Sequence, residues 1–227
     1  MEANLIYQLG PIGVTVPVVT TWGIMLALVG LFWLTTRHLQ PEPGLVQVIL
    51  EGLIGAMDRA VREVLPNAAT QVLPFIGTLW VFVVVANLVG IIPGLQSPTG
   101  SLSTTAALAV LVFVSVHWFG IRSEGIATYF KQYLAPNPIM LPFHLMSEVT
   151  RTVALAIRLF GNIMSMEMAV VLVLLVAGFL VPVPLLMLHV IEALIQAYIF
   201  GMLALIYIAS AIQSQQQRQS EKREHHA

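Results

Sequence analysis

The chain has 227 residues and a formal net charge of −1; 58% of its residues are hydrophobic, 9% are charged, and its mean hydropathy is +0.88. Ordinary soluble domains carry about 25% charged residues, so this composition excludes a soluble globular fold, and the charge excludes a basic nucleic-acid binder. The absence of cysteine excludes disulfides, thiolate metal sites and Cys nucleophiles.

The chain reads as a single all-α integral membrane domain over residues 1–227, with about five membrane helices and one amphipathic interfacial helix. Residues 1–42 hold an N-terminal arm and the first span. Met1 to Asn4 lack the positive n-region of a cleavable signal, and the first apolar run is long enough to remain in the membrane. Pro11 and Pro17 break the early part, so the first helix is expected from Val18 to Thr36. Arg37 and His38 close it, and the run Gln40 to Pro43 stops it.

Residues 43–66 differ. Gln47, Glu51, Asp58 and Arg62 share one helical face, and Val46, Ile49, Leu50, Leu53, Ile54, Met57, Val61 and Val64 fill the other. This pattern suits a helix lying on the membrane surface, or equally one packed on a partner. Residues 67–122 read as a hairpin of two spans, Leu73 to Ile92 and Leu102 to Ile121. A loop rich in Pro, Gly and Ser joins them between Ile92 and Gly100. Asn87 is a lone amide in the first of these spans, suited to a helix–helix hydrogen bond.

Residues 123–137 return to water through Glu124 and Lys131, and residues 138–213 then form a long hairpin. A helix from Phe143 to Ala177 would stretch roughly 50 Å at about 1.5 Å per residue, against about 30 Å of hydrocarbon, so it must tilt strongly, bend or break. Gly178 to Pro184 is expected to form the turn, and a second long helix runs from Leu185 to Gln213. Residues 214–227 read as a polar, frayed tail. Under this count Arg37, Arg59, Arg62, Arg122, Lys131, Arg218, Lys222 and Arg223 all fall on one side. The positive-inside rule makes that side cytoplasmic and puts the N-terminus outside.

The long hairpin carries the polarity that needs explaining. Arg158 stands inside a membrane-length helix, where an arginine costs from about 3 to more than 10 kcal/mol. It is a functional candidate unless it snorkels to the headgroups. Asn162 shares its face, whereas Glu167 lies about half a turn out of phase and about 13 Å further along the axis. On the second helix His189, Glu192 and Gln196 form one stripe. If the hairpin turns near Gly178 to Pro182, facing residues have numbers with a near-constant sum, and Arg158 with Gln196, Asn162 with Glu192 and Glu167 with His189 are expected to meet at nearly one register. Glu167, His189 and Glu192 can exchange protons, and Arg158 cannot release its own. The pattern points to an ion path interrupted by an arginine, whose carboxylate partner another subunit would supply.

The run Arg158-Leu159-Phe160-Gly161-Asn162, with Glu167, His189 and Gln196 to Phe200, resembles subunit a of F-type ATP synthases. Pro43 to Glu51, Pro74 to Thr78 and Ala86 to Pro93 extend the resemblance over nearly the whole chain. It implies a non-catalytic, ion-translocating stator subunit of the Fo motor in a bacterial plasma (inner) membrane, with its C-terminus cytoplasmic. The implied partners are a ring of c subunits facing Arg158, b-type peripheral stalk subunits, the rest of the synthase and the lipid bilayer, with no nucleic acid. Arg158 would separate two offset half-channels, and Glu167, His189, Glu192, Gln196 and Asn162 would line or border them. Ser101 and Ser103 stand where many relatives have Asp and Asn, Thr152 stands where Pro is common, and Glu192 adds a second carboxylate near His189. These departures resemble a divergent branch, some of whose members move Na⁺, so proton and Na⁺ both stay open.

The rival function is a self-contained cation channel or transporter, which would need paired repeats or a permeation path inside one chain, and the sequence shows no internal repeat. No cofactor is expected: of His117, His144 and His189 only the last is deep in a helix, and no two are placed to hold a haem.

Overall fold

The structure, a computed structural model, describes residues 5–9, 12–37, 44–92, 95–126, 141–177 and 182–224. Five helices among them are long and apolar enough to cross a membrane. The membrane architecture is therefore all-α, as expected. The expected stop from Gln40 to Pro43, the centre of the cytoplasmic loop with Lys131, and the hairpin turn itself at 178–181 lie outside the described residues.

The chain begins with something the hydropathy does not signal, a two-stranded antiparallel hairpin of β1 (Leu5–Leu9) and β2 (Ile12–Thr15). The first membrane helix, α1 (Val16–Arg37), starts before Pro17 rather than after it. A proline fits the first turn of a helix because its missing N–H has no partner there in any case. Only Ile24 of α1 is buried, and Trp22, Leu26, Val29 and Trp33 point away from the protein. The Thr20, Thr21 and Thr36 hydroxyls donate to carbonyls four residues back, which satisfies them without water.

The amphipathic helix α2 (Leu45–Val64) has the expected polar face. On it, Gln47 donates to Glu51 at 2.8 Å, and the Arg62 guanidinium meets Asp58 at 2.7 Å. Its C-terminal end is anchored: Val61 and Leu65 are buried, and the Gln213 amide donates to the Val64 carbonyl at 2.9 Å. Its N-terminal apolar residues, Leu45, Val46, Val48 and Ile49, remain exposed, a face that suits lipid and a partner equally.

The core is built by α3 (Ala69–Val89), α4 (Leu102–Glu124), α5 (Leu141–Ala177) and α6 (Pro182–Glu224). A 3-10 turn at Pro98–Gly100 joins α3 to α4 and touches α1, α3, α4 and α5. Ala193, Ala197 and Gly201 form a stripe of small residues on α6, with both alanines fully buried. Small residues at four-residue spacing let two helices approach closely, and α3 packs on α6. The Trp80 indole occupies the space that a side chain at Gly201 would need. It also donates to the Tyr198 carbonyl at 3.3 Å and stacks on the Tyr198 ring.

The two long helices are longer than expected. α5 is continuous over 37 residues, about 55 Å at about 1.5 Å per residue. α6 starts at Pro182, and so takes into its first turn the prolines assigned to the hairpin loop. It then runs to Glu224, so the C-terminal segment is helical rather than frayed. From Ser214 to Glu224 it holds no Pro or Gly, and its Gln, Arg, Lys and Glu residues are good helix formers.

Candidate functional site

The polar residues singled out in the sequence lie on α5, on α6 and at the 3-10 turn beside them. Leu155 and Leu159 are buried and fix α5 against the core. Arg158 and Gly161 consequently lie on the outer face of α5, both exposed. Among the described residues Arg158 makes no hydrogen bond, ion pair or ring contact. Its fork of five donors is open to whatever lies beyond this face.

Asn162 does not meet Glu192, and Arg158 does not meet Gln196. The Asn162 amide donates to Gln196 Oε1 at 2.7 Å, so the helices pair one helical turn away from the expected register. The expected pairs centre on residues 177 and 178, but α5 continues to Ala177 and α6 starts at Pro182, so the observed pair centres further on, at 179. Gln196 is 2% exposed, and its Nε2 is buried with no partner among the described residues.

His189 is also 2% exposed, and its Nε2 is likewise buried without a partner. Two buried donor or acceptor nitrogens left open on one helix are uncommon, because such groups are ordinarily bonded to protein or water. Glu192, one turn on from His189, is half-buried and within electrostatic reach of the imidazole.

Glu167 is half-buried and points elsewhere. Among the described residues no hydrogen bond or ion pair joins it to His189. Its carboxylate lies instead against the turn at Pro98–Gly100, with both oxygens next to Gly100. That turn is held by a chain of bonds. Ser97 Oγ donates to the Ala86 carbonyl at 2.9 Å and lies 2.7 Å from Thr99 Oγ1; Thr99 Oγ1 donates to Asn87 Oδ1 at 2.8 Å; Asn87 Nδ2 donates to the Ala193 carbonyl at 3.3 Å. Asn87 therefore makes the helix–helix bond expected of it, and it bonds to the turn as well. Ser97 and Thr99 were legible only as loop formers. Nothing in their spacing connects them to Glu167, which is far along the chain.

Two further polar contacts lie on the far side of Arg158 from this turn. His117 Nε2 on α4 is 3.4 Å from Glu148 Oε2 on α5, and the Arg151 guanidinium lies over the Tyr207 ring at 5.6 Å. Among the described residues no three His, Asp or Glu side chains converge as metal ligands. Among the described residues the arrangement offers an exposed unpaired cation, titratable groups displaced along the hairpin from it, and two buried nitrogens without a hydrogen-bond partner.

Comparison with known proteins accords with this geometry. The family model described as ATP synthase A chain matches residues 18–209. "ATP synthase subunit a 2" of Pelobacter propionicus is 57% identical over 219 residues, covering 96% of each chain. "ATP synthase subunit a 1" of Hahella chejuensis is 60% identical over 206 residues, 91% of this chain and 88% of that one. "ATP synthase subunit a" of Legionella pneumophila (strain Paris) is 54% identical over 213 residues, 93% of each.

Proposed function

The chain belongs to the ATP synthase A chain family, and from that premise we propose that it is the ion-translocating stator, subunit a, of a bacterial Fo motor. It carries ions between the two sides of the plasma membrane along a path completed by a rotating ring of c subunits. The N-terminus lies outside and the basic loops and the C-terminus are cytoplasmic, as the positive-inside distribution supports. The ion is a proton or Na⁺, according to what the ring carboxylate binds.

The observation that carries the reading is Arg158, an arginine on a membrane-length helix that is exposed and has no partner among the described residues. A cation held at that depth calls for a counter-charge or water. A ring carboxylate arriving at about 4 Å would gain of order 4 kcal/mol at an effective dielectric near 20, before desolvation. That attraction favours the ionised carboxylate, so the ring gives up its ion as it reaches the arginine. Arg158 itself cannot relay a proton, because the guanidinium does not deprotonate in proteins. It is therefore a barrier between two half-channels rather than a link.

Glu167, His189 and Glu192 lie between Arg158 and the outer end of the hairpin and form the outer half-channel. The open Nε2 atoms of His189 and Gln196 supply hydrogen bonds to water there. Asn162, through its bond to Gln196, holds the two helices at the level next to the arginine. Arg158→Ala in assembled membranes tests the reading, and ion-driven ATP synthesis is expected to disappear. ATP synthesis at the native rate in that variant would overturn it.

A further inference from the structure

Glu167 is seated by a feature that neither its own helix nor its charge explains. A Cβ at Gly100 would stand 3.0 Å from Oε1 and 3.1 Å from Oε2 of Glu167. Both carboxylate oxygens thus lie so close that a side chain at 100 would press on them, and they would have to give by a few tenths of an ångström. Gly100 is not demanded by its backbone, since Gly125 is the one residue with positive φ among those described. Its value at this position is the room it leaves.

The seat is rigid on the other side. Gly100 N donates to the Ser97 carbonyl at 3.1 Å and Ser101 N to the Pro98 carbonyl at 3.1 Å. The turn they close is tied through Thr99 to Asn87 at 2.8 Å, and Asn87 is tied to the backbone of α6 at Ala193 at 3.3 Å. Ser97, Thr99 and Asn87 are all buried, so these bonds do not compete with bulk water. Ala193 directly follows Glu192. An uncharged chain of hydrogen bonds therefore joins the helix carrying His189 and Glu192 to the surface on which Glu167 rests.

We propose that the turn at Pro98–Gly100 is a cradle that fixes the Glu167 carboxylate in the outer half-channel, with Gly100 as its positioning residue. The inference rests on the reading of Glu167 as part of that path. An added methyl at 100 does not meet backbone; it meets the far end of a flexible side chain. Gly100→Ala therefore leaves the fold in place and shifts the carboxylate from its seat against the turn. Of the elements packed around the carboxylate, α3 and the first half of α4 carry no charged residue. His189 and Glu192 on α6 are the titratable groups that a displaced Glu167 would couple to differently.

The test is a four-way cycle in membranes stripped of the catalytic head, with c subunits present and passive ion flux normalised to assembled subunit. Gly100→Ala is expected to lower flux by about threefold to tenfold and to shift its pH profile. Glu167→Asp draws the carboxylate back by one methylene and is expected to lower flux as well. Combined with Gly100→Ala it makes room for the methyl, so the double variant should exceed Gly100→Ala alone. Flux losses that simply multiply, or an unchanged rate and pH profile in Gly100→Ala, overturn the cradle. Glu167→Gln is run alongside: unchanged flux there removes the path reading itself and the cradle with it, whereas reduced flux there confines any failure to the cradle. If Gly100→Ala does not assemble, Thr99→Val replaces it, since it keeps the volume and cuts the tie to Asn87. A shifted pH profile is then expected, and an unshifted one overturns the proposal.

Discussion

Asn162 on α5 and Gln196 on α6 are joined by an amide–amide hydrogen bond of 2.7 Å, and that bond sets the register of the long hairpin. It takes Gln196 away from Arg158, its expected partner. Arg158 is left on the outer face of α5, while the other half of the Gln196 amide stays open inside. The arginine and the buried amides therefore serve different surfaces of the same helix pair.

The register can be checked directly because the chain has no native cysteine. Cysteines at Asn162 and Gln196 should be bridged efficiently by a short bifunctional reagent in native membranes. Cysteines at Arg158 and Gln196 should react poorly under the same conditions. The reverse ranking would restore the register counted from the sequence.

Asn87 is fully buried, donates to Ala193 on α6 and accepts from Thr99 in the turn. Asn87→Leu removes both bonds and leaves the Thr99 hydroxyl with Ser97 Oγ, 2.7 Å away, as its remaining acceptor. A buried polar group stripped of its partner costs about 1–3 kcal/mol. The thermal midpoint of the purified subunit in detergent should fall accordingly, and an unchanged midpoint would show that the network carries no stability.

Gly201 has no room for a side chain, because the Trp80 indole lies where its Cβ would be. Gly201→Ala must push α3 and α6 apart or turn the indole out. Overpacking of this kind typically costs about 1–3 kcal/mol. The variant should melt earlier, with altered tryptophan emission. Pairing it with Trp80→Leu should recover part of the loss, and the pairing idea fails if the two losses simply add.

Glu167 and Glu192 sit on opposite helices of the proposed outer path, and each is half-buried. Glu167→Gln should slow passive ion flux without uncoupling it from ATP synthesis, because the barrier at Arg158 is untouched. Adding Glu192→Gln should slow it further, since one carboxylate can serve in part for the other. If the double variant conducts at the native rate, both residues are packing groups and the outer path runs elsewhere.

Much of this molecule follows from the order of its residues. Runs of apolar residues long enough to cross hydrocarbon mark the spans, because backbone in lipid must satisfy its own hydrogen bonds and only a helix does so within one segment. Gln47, Glu51, Asp58 and Arg62 mark α2 because residues three and four apart share a face. Arg158 stands out because a guanidinium in hydrocarbon is costly wherever it is placed. These signals are local, and each can be read within one helix.

What only the tertiary structure decided is which of these groups meet. Prolines 182 and 184 read as loop residues, yet both fall in the first turn of α6, where a missing N–H costs nothing. α5 in turn continues to Ala177, where the expected pairs would have placed the turn, and the partner of Asn162 is Gln196 rather than Glu192. The seat of Glu167 is further from view still. Its carboxylate rests against Gly100, a residue separated from it by all of α4 and most of α5. No periodicity spans that distance. The contact exists because α4, α5 and the turn pack together around a space that glycine leaves empty, and an empty space has no signature in a chain of residue types.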